Sequence, residues 1–542
     1  MLNERQAGID SFQTSKFLVE NCDDMKVKVI FICAVLLACS LPARADVVLP
    51  DVLSSGMVLQ REQRVPIWGK AEPGETVTVT FGNQSKKSTA DKDGKWLVRL
   101  NPMRANAAPA AMTIAGKNKV ELKDILVGEV WLVAGQSNMQ RLLSETANGE
   151  AAIAAANHPL IRLFNVSRQV AFKHASPPLA TWAACSPESV KQFSAAGYYF
   201  AVELQKDLNV PIGVINSSYG GSQAEAWTPV EYLLASPDLK PTVDRTKTWD
   251  DERPRVKVEY DEAIKNWREQ ADKAKAAGAT PQPSPAVPDA LREYRIAASI
   301  YDGMIAPLIP FYIRGAFWYQ GESNEARAQQ YELLLPVMIR AWRERWGEGD
   351  FPFGIIQLPN YRVPKADPAD EAWSHIREAQ RRTARSLTNT GLIVTIDIGE
   401  ARDIHPKNKV DVGKRMAYWA LSDVYSKASV KSGPSFRNAM PSASGAEMLV
   451  TFDDAGRGLK TRDNGKPAEF AIAGADKKWY WAEAEIVGRN QVKVWSPSVP
   501  HPLAVRYAFN NNPKNPNLTN DSGLPASPFR SDKWPGPTDG KR

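Results

Sequence analysis

The sequence predicts an α/β fold with a parallel sheet and crossover helices, flanked by β-rich regions on both sides. From residue 128 onward, short apolar runs typical of buried strands alternate with longer stretches of helical spacing. Before and after this region, short alternating strands are separated by Gly and Pro turns, as in antiparallel sandwiches. We therefore divide the chain into a leader (1–45), an N-terminal β-sandwich domain (46–126), an α/β domain (127–425) and a β-rich region (426–542).

The composition is that of a large globular protein with several cores. The chain has 542 residues, 43% of them hydrophobic, with 16 Trp, 15 Tyr and 17 Phe. Its formal net charge of +7 is spread along the chain, without a run of about five or six like charges. After the leader, no segment has the roughly 18 uninterrupted apolar residues of a membrane span. We therefore expect neither a nucleic-acid partner nor a transmembrane helix.

Residues 25–45 have the parts of a secretory signal. Two lysines precede an apolar stretch over 29–41, and the small residues Ala43 and Ala45 suit cleavage before the next residue. This pattern predicts export to the periplasm or the extracellular space. It also makes Met25 the expected initiator.

Cysteine usage predicts a mature chain without a disulfide. Three of the four cysteines, Cys22, Cys33 and Cys39, lie at or before the leader, so that Cys185 alone remains after cleavage. We expect Cys185 to be a buried apolar residue. The segment around Cys39 also allows a lipoprotein interpretation, in which Cys39 is the lipidated N-terminus.

The α/β region contains five predicted strands and two predicted helices. The strands are 130–134, 212–218, 315–320, 353–358 and 392–397, and the helices are 196–207 and 326–346. A charged insert at 234–298 interrupts this pattern. Its helical part has a narrow apolar face with Tyr260, Ile264 and Trp267, which predicts that the insert packs as a cap or lid.

The segment VWLVAGQSNM at 130–139 is an apolar strand that runs into a turn of small residues with Ser137 at its tip. A serine at a strand-to-helix turn has an exposed hydroxyl close to a helix N-terminus, which suits a nucleophile. The segment is not the G-x-S-x-G motif of α/β-hydrolases, because Met139 replaces the last glycine. A second interpretation is that Ser137 only caps the following helix.

A serine nucleophile needs a base, and His405 is the preferred candidate among the five histidines. It follows the predicted strand 392–397, with Asp403 two residues before it, and a carboxylate so placed can orient the imidazole. The other four histidines stand in contexts typical of surface or packing positions: His158, His174, His375 and His501.

Acyl transfer also requires hydrogen-bond donors for the developing oxyanion. The segments 218–222 and 318–324 follow two of the predicted strands and can supply such donors. In open α/β sheets, functional sites lie at the C-terminal ends of the strands. We therefore expect both segments to lie near Ser137 and His405.

Seven motifs occur in an order that matches a known family. They are GQSNM at 135–139, SYGGSQAEAW at 218–227, YDGMIAPL at 301–308, WYQGESN at 318–324, DIHPKNK at 403–409, AVRYAF at 504–509 and GLPASPFRSDKW at 523–534. By these motifs the chain resembles the bacterial sialate O-acetylesterases, which are SGNH hydrolases. The resemblance extends over about 47–534 and implies a three-layer, flavodoxin-like SGNH-hydrolase domain with flanking β-sandwich domains.

The resemblance implies a role for each matching residue. Ser137 is the expected nucleophile and also lends its backbone N–H to the oxyanion hole, with Gly221 as a second backbone donor. Gln320 stands where related enzymes have an asparagine side chain, and it is the expected third donor. His405 is the expected general base, and Asp403 is its orienting partner.

The motif departs from its relatives at the acid of the triad. Many SGNH hydrolases place this acid three residues before the histidine, where this chain has Arg402, which cannot accept the imidazole proton. Asp403 is preferred, and Asp397 or a backbone carbonyl remains as an alternative. Glu322 and Asn324 are expected to bind the substrate.

By this resemblance the chain is expected to be a serine esterase that removes O-acetyl groups from a carbohydrate, most of all from sialic acid. The expected partner is therefore an acetylated sugar or glycan. Acetylated xylan or another glycan remains an alternative substrate, and a non-catalytic carbohydrate-binding protein remains an alternative of another class. No cofactor is implied, and no metal site is expected, because the sequence has no HExxH motif, Cys/His cluster or EF-hand loop.

Overall fold

The computed structural model describes residues 46–170, 180–427 and 432–542, so the predicted leader lies outside the described residues. A mostly parallel central sheet is accompanied by separate antiparallel sheets. This arrangement confirms the predicted α/β class. Among the helices of these three ranges, none is both long and apolar enough to cross a bilayer.

The N-terminal region is made of short strands. They are β1 (Val58–Gln60), β2 (Val65–Lys70), β3 (Thr76–Phe81), β4 (Gln84–Thr89), β5 (Lys95–Leu100), β6 (Asn106–Ala115) and the longer β7 (Lys119–Gly135). β2 pairs with β5, and β3 pairs with both β4 and β6, all antiparallel. Along β5 every second residue is buried, because successive side chains of a strand point to opposite faces.

Six further strands complete the central sheet. They are β8 (His158–Asn165), β9 (Trp182–Cys185), β10 (Ile212–Ser218), β11 (Gly315–Tyr319), β12 (Phe353–Ile356) and β13 (Thr390–Ile393). The spatial order is β13-β12-β11-β7-β10-β8-β9, and only β9 runs antiparallel to its neighbour. Because parallel strands end at one edge, the C-terminal ends of β7, β10 and β11 lie together.

One strand, β7, belongs to two sheets. Its first half pairs antiparallel with β6, and its second half, from Glu129 to Gly135, pairs parallel with β10. The burial pattern changes accordingly from partly exposed to fully buried along the strand. The N-terminal β region and the α/β region are therefore joined through a continuous strand.

Helices cover both faces of the central sheet. They are α1 (Ser137–Gln140), α2 (Gly149–Ala154), α3 (Pro187–Val190), α4 (Ala195–Leu208), α5 (Val230–Leu234), α6 (Lys240–Ala276), α7 (Ala328–Trp346), α8 (Ala372–Ser386) and α9 (Val410–Trp419). The neighbours Phe317 and Trp318 on β11 point to opposite faces. Phe317 contacts Trp419 of α9, whereas Trp318 contacts Trp342 of α7. The sheet therefore lies between two helical layers, as the resemblance implied.

The last predicted strand is shorter than expected. The apolar run 392–397 predicts a strand over its whole length, but β13 ends at Ile393. Beyond it, Val394 and Ile396 are buried in a second hydrophobic core, which belongs to the C-terminal region. Their apolar character therefore reflects packing between regions rather than a continued strand.

The insert at 234–298 is dominated by the 37-residue helix α6, which starts 20 residues before the predicted helical patch. Its buried residues lie mostly near its beginning, as at Thr242 and Val243. Tyr260, Ile264 and Trp267 on the predicted apolar face are only partly buried. The first turns of the helix therefore provide most of its packing.

The C-terminal region forms its own sheets. Its strands are β14 (Ser435–Pro441), β15 (Met448–Asp453), β16 (Leu459–Thr461), β17 (Phe470–Ala473), β18 (Trp479–Trp481), β19 (Glu483–Val487), β20 (Gln491–Trp495), β21 (Ala504–Tyr507), β22 (Leu518–Asn520) and β23 (Phe529–Arg530). They form the sheets β14-β15-β20-β19 and β18-β17-β21-β23, and the pair β16-β22. In the described part of the chain, none of them pairs with an N-terminal strand.

Candidate active site

The turn after β7 presents Ser137 at the C-terminal edge of the sheet. Gly135 has a φ of +139°, and a Cβ there would lie 2.2 Å from the carbonyl oxygen of Tyr319, so only glycine fits. Ser137 is the first residue of α1, and the preceding N-cap residue, Gln136, makes no side-chain cap hydrogen bond. The geometry therefore gives the Ser137 hydroxyl no capping function.

His405 reaches this hydroxyl from a loop far along the chain. Its Nε2 lies 2.8 Å from Ser137 Oγ, a hydrogen-bond distance, although the two residues are 268 positions apart. Burial lowers the pKa of His405, a trend that the Asp403 carboxylate opposes and Arg141 supports. The imidazole is therefore neutral at neutral pH, as a general base must be.

Asp403 lies beside the His405 ring, and its orienting role stays a prediction. Its Oδ1 accepts a hydrogen bond from the backbone N–H of His405 at 2.8 Å, but it lies 3.8 Å from the ring Nδ1, beyond hydrogen-bond reach. The alternative Asp397 is committed elsewhere, since it pairs with Arg415 and Arg462. Asp403 thus acts on the imidazole as a nearby charge, and it holds the loop backbone.

Two backbone N–H groups beside Ser137 have the properties of oxyanion donors. Those of Ser137 and Gly221 make no hydrogen bond with any residue of the described ranges. Gly221 has a φ of +74°, a region that favours glycine. The N–H of the preceding Gly220 donates to Gln140 Oε1 at 2.7 Å, which ties this turn to α1.

Gln320, the expected third donor, lies beside the site with its amide group hydrogen-bonded within the protein. Its Nε2 donates to Asn324 Oδ1 at 2.7 Å and to the carbonyl of Ser222 at 3.3 Å, so both amide hydrogens are in use. The side chain is fully buried. Gln320 therefore links to the turn that carries Gly221, and its role as third donor stays a prediction.

Asn324 and Glu322, the expected substrate-binding residues, both hydrogen-bond to neighbouring protein groups, and their contact with the substrate stays a prediction. Asn324 is 2% exposed, and its amide is occupied by Glu225 Oε2 and the N–H of Ala224. Glu322 accepts a hydrogen bond from Asn138 Nδ2 at 2.6 Å, and its other carboxylate oxygen is buried. Burial raises the pKa of Glu322. Both side chains therefore belong to the support of the site.

Sequence reasoning left several residues of the site unassigned. Asn138 and Lys409 stand inside the GQSNM and DIHPKNK motifs, and their side chains meet at 2.7 Å. From the insert, Arg295 donates through Nε to the carbonyl oxygen of Gly221 at 3.3 Å, and the ring of Tyr294 lies beside the same glycine. The motifs signalled the first pair, whereas nothing local in the sequence signals the contacts of the insert.

Among the described residues, His158, His375, His501 and Cys185 make no hydrogen bond to Ser137 or His405. His375 is buried and lies 2.5 Å from Asp370 Oδ1 through its Nε2. His158 is partly exposed, His501 is exposed, and His174 lies outside the described residues. Cys185 is buried, and this burial raises the pKa of its thiol to about 12. These surroundings are typical of structural residues.

Comparison with known proteins identifies the family. A family model described as "Carbohydrate esterase, sialic acid-specific acetylesterase" matches residues 127–278 and 289–422. The sialate O-acetylesterase of Mus musculus is 28% identical over 470 residues, which cover 79% of this chain and 83% of that protein. The corresponding protein of Homo sapiens is 28% identical over 412 residues, which cover 69% of this chain and 70% of that protein.

A solved structure agrees with this assignment. The crystal structure of a carbohydrate acetylesterase from Xanthomonas citri matches with a TM-score of 0.74 and 34% identity, covering 90% of this chain and 100% of that one. The family resemblance inferred from the motifs is thereby confirmed. This chain belongs to the carbohydrate esterase family of sialic acid-specific acetylesterases and is a carboxylic ester hydrolase that deacetylates carbohydrates.

Proposed function

We propose that this carbohydrate esterase removes O-acetyl groups from sialic acid by two-step acyl transfer through Ser137. The observation that carries the proposal is the 2.8 Å distance between His405 Nε2 and Ser137 Oγ. A serine hydroxyl is a weak nucleophile until an adjacent base accepts its proton. The neutral imidazole at this distance supports that role.

The chemistry proceeds in two halves. Ser137 Oγ attacks the acetyl carbonyl carbon while His405 Nε2 takes the hydroxyl proton, and a tetrahedral oxyanion forms. The backbone N–H groups of Ser137 and Gly221 stabilise this charge, and one such donor is typically worth about 3–4 kcal/mol. The ester C–O bond then breaks, and His405 gives its proton to the sugar oxygen. Water, activated by His405, finally releases acetate from the acyl-enzyme.

The variant Ser137→Ala tests the nucleophile. It should lose at least about 10³-fold in acetate release from an aryl acetate, because within the described residues Ser137 supplies the one hydroxyl hydrogen-bonded to the His405 ring. Circular dichroism and thermal unfolding check that the fold is retained. Undiminished acetate release by the folded variant would exclude this mechanism.

The choice of sialic acid rests on the family description and on the relatives named above. Acetate release from O-acetylated sialic acid should exceed release from acetylated xylan at equal acetyl concentration. A reversed preference would make the chain an esterase of another glycan. Binding of the sugar without acetate release would instead indicate a non-catalytic carbohydrate-binding protein.

We also propose that the chain is exported, on the leader pattern of residues 25–45. N-terminal sequencing of the processed protein should begin at Asp46. A mature chain that begins with a lipidated Cys39 would favour the lipoprotein alternative, and retention of the leader would contradict export.

A further inference from the structure

We propose that Asn138 and Lys409 are positioning residues that clamp the backbone on both sides of His405 against the nucleophile turn. The inference rests on the proposed roles of Ser137 and His405 in the reaction. It explains how the His405 ring, whose Nδ1 lies 3.8 Å from the Asp403 carboxylate, is held within hydrogen-bond distance of Ser137.

Asn138, the residue after the nucleophile, holds the chain just before the histidine. Its Nδ2 donates to the carbonyl oxygen of Ile404 at 3.0 Å and to Glu322 Oε1 at 2.6 Å. The side chain is 1% exposed. Because Glu322 follows β11 directly, Asn138 connects the nucleophile turn, the end of β11 and the histidine loop.

Lys409 holds the chain just after the histidine. Its Nζ donates to the carbonyl oxygen of Pro406 at 2.8 Å and to Asn138 Oδ1 at 2.7 Å. It also lies 5.5 Å from the centroid of the Tyr319 ring, within the range of a cation–π contact. The residue has no exposed surface, although lysine is almost never fully buried unless it is paired.

The two contacts bracket the base. Ile404 and Pro406 flank His405, and their carbonyl oxygens are held by two side chains that also hydrogen-bond to each other. Asp403 adds a backbone contact to His405, but no hydrogen bond to its ring. The backbone that carries the imidazole is therefore held on both sides, and the clamp supplies the two contacts to the flanking carbonyl groups.

Burial lowers the pKa of Lys409 to about 7, and the nearby Glu322 carboxylate opposes this shift. Both the ammonium and the neutral amine have enough hydrogens to donate to Pro406 and Asn138. The clamp therefore does not require a permanent charge on Lys409.

The test compares Lys409→Met with a matched control, Arg343→Met. Arg343 is also a buried cation, 4% exposed, and it donates to the carbonyl oxygens of Phe351 and Asn389. Those carbonyls precede β12 and β13, at the opposite edge of the sheet from Ser137. Both variants replace a buried cation with methionine, but only Lys409→Met loosens the histidine loop.

With an aryl acetate, kcat of Lys409→Met should fall about 10- to 100-fold while KM changes less than about twofold, since a misplacement of about 1 Å costs roughly 10²-fold. The control should keep kcat within about twofold, whatever its thermal stability. An unchanged kcat in Lys409→Met, or an equal loss in Arg343→Met, would overturn the clamp.

Asn138→Ala provides a second test that does not depend on the folding of the lysine variant. Its kcat should fall by a similar factor, and the double variant Asn138→Ala/Lys409→Met should be little worse than either single variant. Fully multiplicative losses, or an unchanged kcat in Asn138→Ala, would contradict a shared clamp.

Ser137→Ala, run in parallel, separates the clamp from the proposed function. If Ser137→Ala retains activity, the proposed function fails. An inactive Ser137→Ala beside fully active clamp variants rejects the clamp alone.

Discussion

Tyr294 of the insert lies face to face with Tyr219 of the Gly220–Gly221 turn, with ring centroids 4.9 Å apart and ring planes 24° apart. Atoms of the Tyr294 ring also approach to 3.4 Å from the point where a Cβ of Gly221 would lie. Both tyrosines are only partly buried. The insert thus places the aromatic ring of Tyr294 beside Gly221, a donor of the proposed oxyanion hole.

The stacked ring of Tyr294 predicts that Tyr294→Ala raises KM for an acetylated sugar more than KM for a small aryl acetate. We expect KM for an acetylated sugar to rise roughly three- to tenfold, the usual worth of an aromatic contact, because a pyranose ring loses a flat apolar surface. KM for a small aryl acetate should change less than about twofold. Tyr294→Phe, which keeps the ring, is the control, and an equal change for both substrates would contradict a role in sugar recognition.

Replacement of the base gives a second prediction. His405→Gln should lower kcat/KM for an aryl acetate by about 10²–10⁴-fold, the usual contribution of general base catalysis. The matched control is His375→Gln, because His375 is buried against Asp370 at another place in the fold. A folded His405→Gln variant with nearly full activity would mean that another group accepts the proton.

The lowered pKa of His405 determines the acid limb of the pH profile. The base must be neutral, and a pKa below the ordinary value of 6.5 keeps it neutral to lower pH. Activity should therefore fall toward acid with a midpoint below pH 6.5 and level off at higher pH. We expect kcat/KM for an aryl acetate, measured between about pH 4 and 8, to show its inflection below 6.5, and an inflection above that value would contradict the assignment.

Asp403→Asn should move this inflection further down. The carboxylate raises the pKa of His405, so its removal favours the neutral ring at still lower pH. Because Asp403 makes no hydrogen bond to the ring, kcat at pH 7 should fall less than about tenfold. A loss of about 10⁴-fold would instead show a true triad acid.

Gly221→Ala tests the second oxyanion donor. A side chain at a φ of +74° costs about 1–2 kcal/mol of strain, which the turn can relieve by rotating the Gly221 N–H away from the oxyanion. We expect kcat to fall about 10²-fold with little change in KM. Gly347→Ala is the control, since Gly347 has a φ of +72° at the end of α7, and an added Cβ there would meet no atom within 4 Å. Equal losses of kcat in both variants would argue against a catalytic donor.

The sequence was sufficient to predict the sheet and the pair Ser137 and His405, because both are marked locally. Ser137 stands where an apolar strand runs into a turn of small residues, and His405 follows another apolar run. The hydrogen-bond partners of other site side chains could not be predicted, because those partners are distant in sequence. Gln320, Glu322 and Asn324 share one motif, and only the fold shows that they hydrogen-bond inward to residues such as Asn138 and Glu225.

The predicted end of the strand at 392–397 was wrong for a related reason. Ile396 is apolar because it packs into the C-terminal core, and a buried residue has the same signature in a strand and in a loop. The distance of 3.8 Å between Asp403 Oδ1 and His405 Nδ1 could not be predicted either, because the spacing of two residues in a loop does not determine how close their side chains come.

The continuity of β7 makes the N-terminal β region an integral part of the catalytic unit. The strand that terminates at the nucleophile turn begins by pairing with β6, and buried Glu129 at its midpoint binds Arg61 from the N-terminal region and Arg314 from beside β11. Excising residues 46–126 would remove the first part of this strand and half of the ion-pair network. The N-terminal β region therefore supports the strand that carries Ser137, and it is not a separable accessory module.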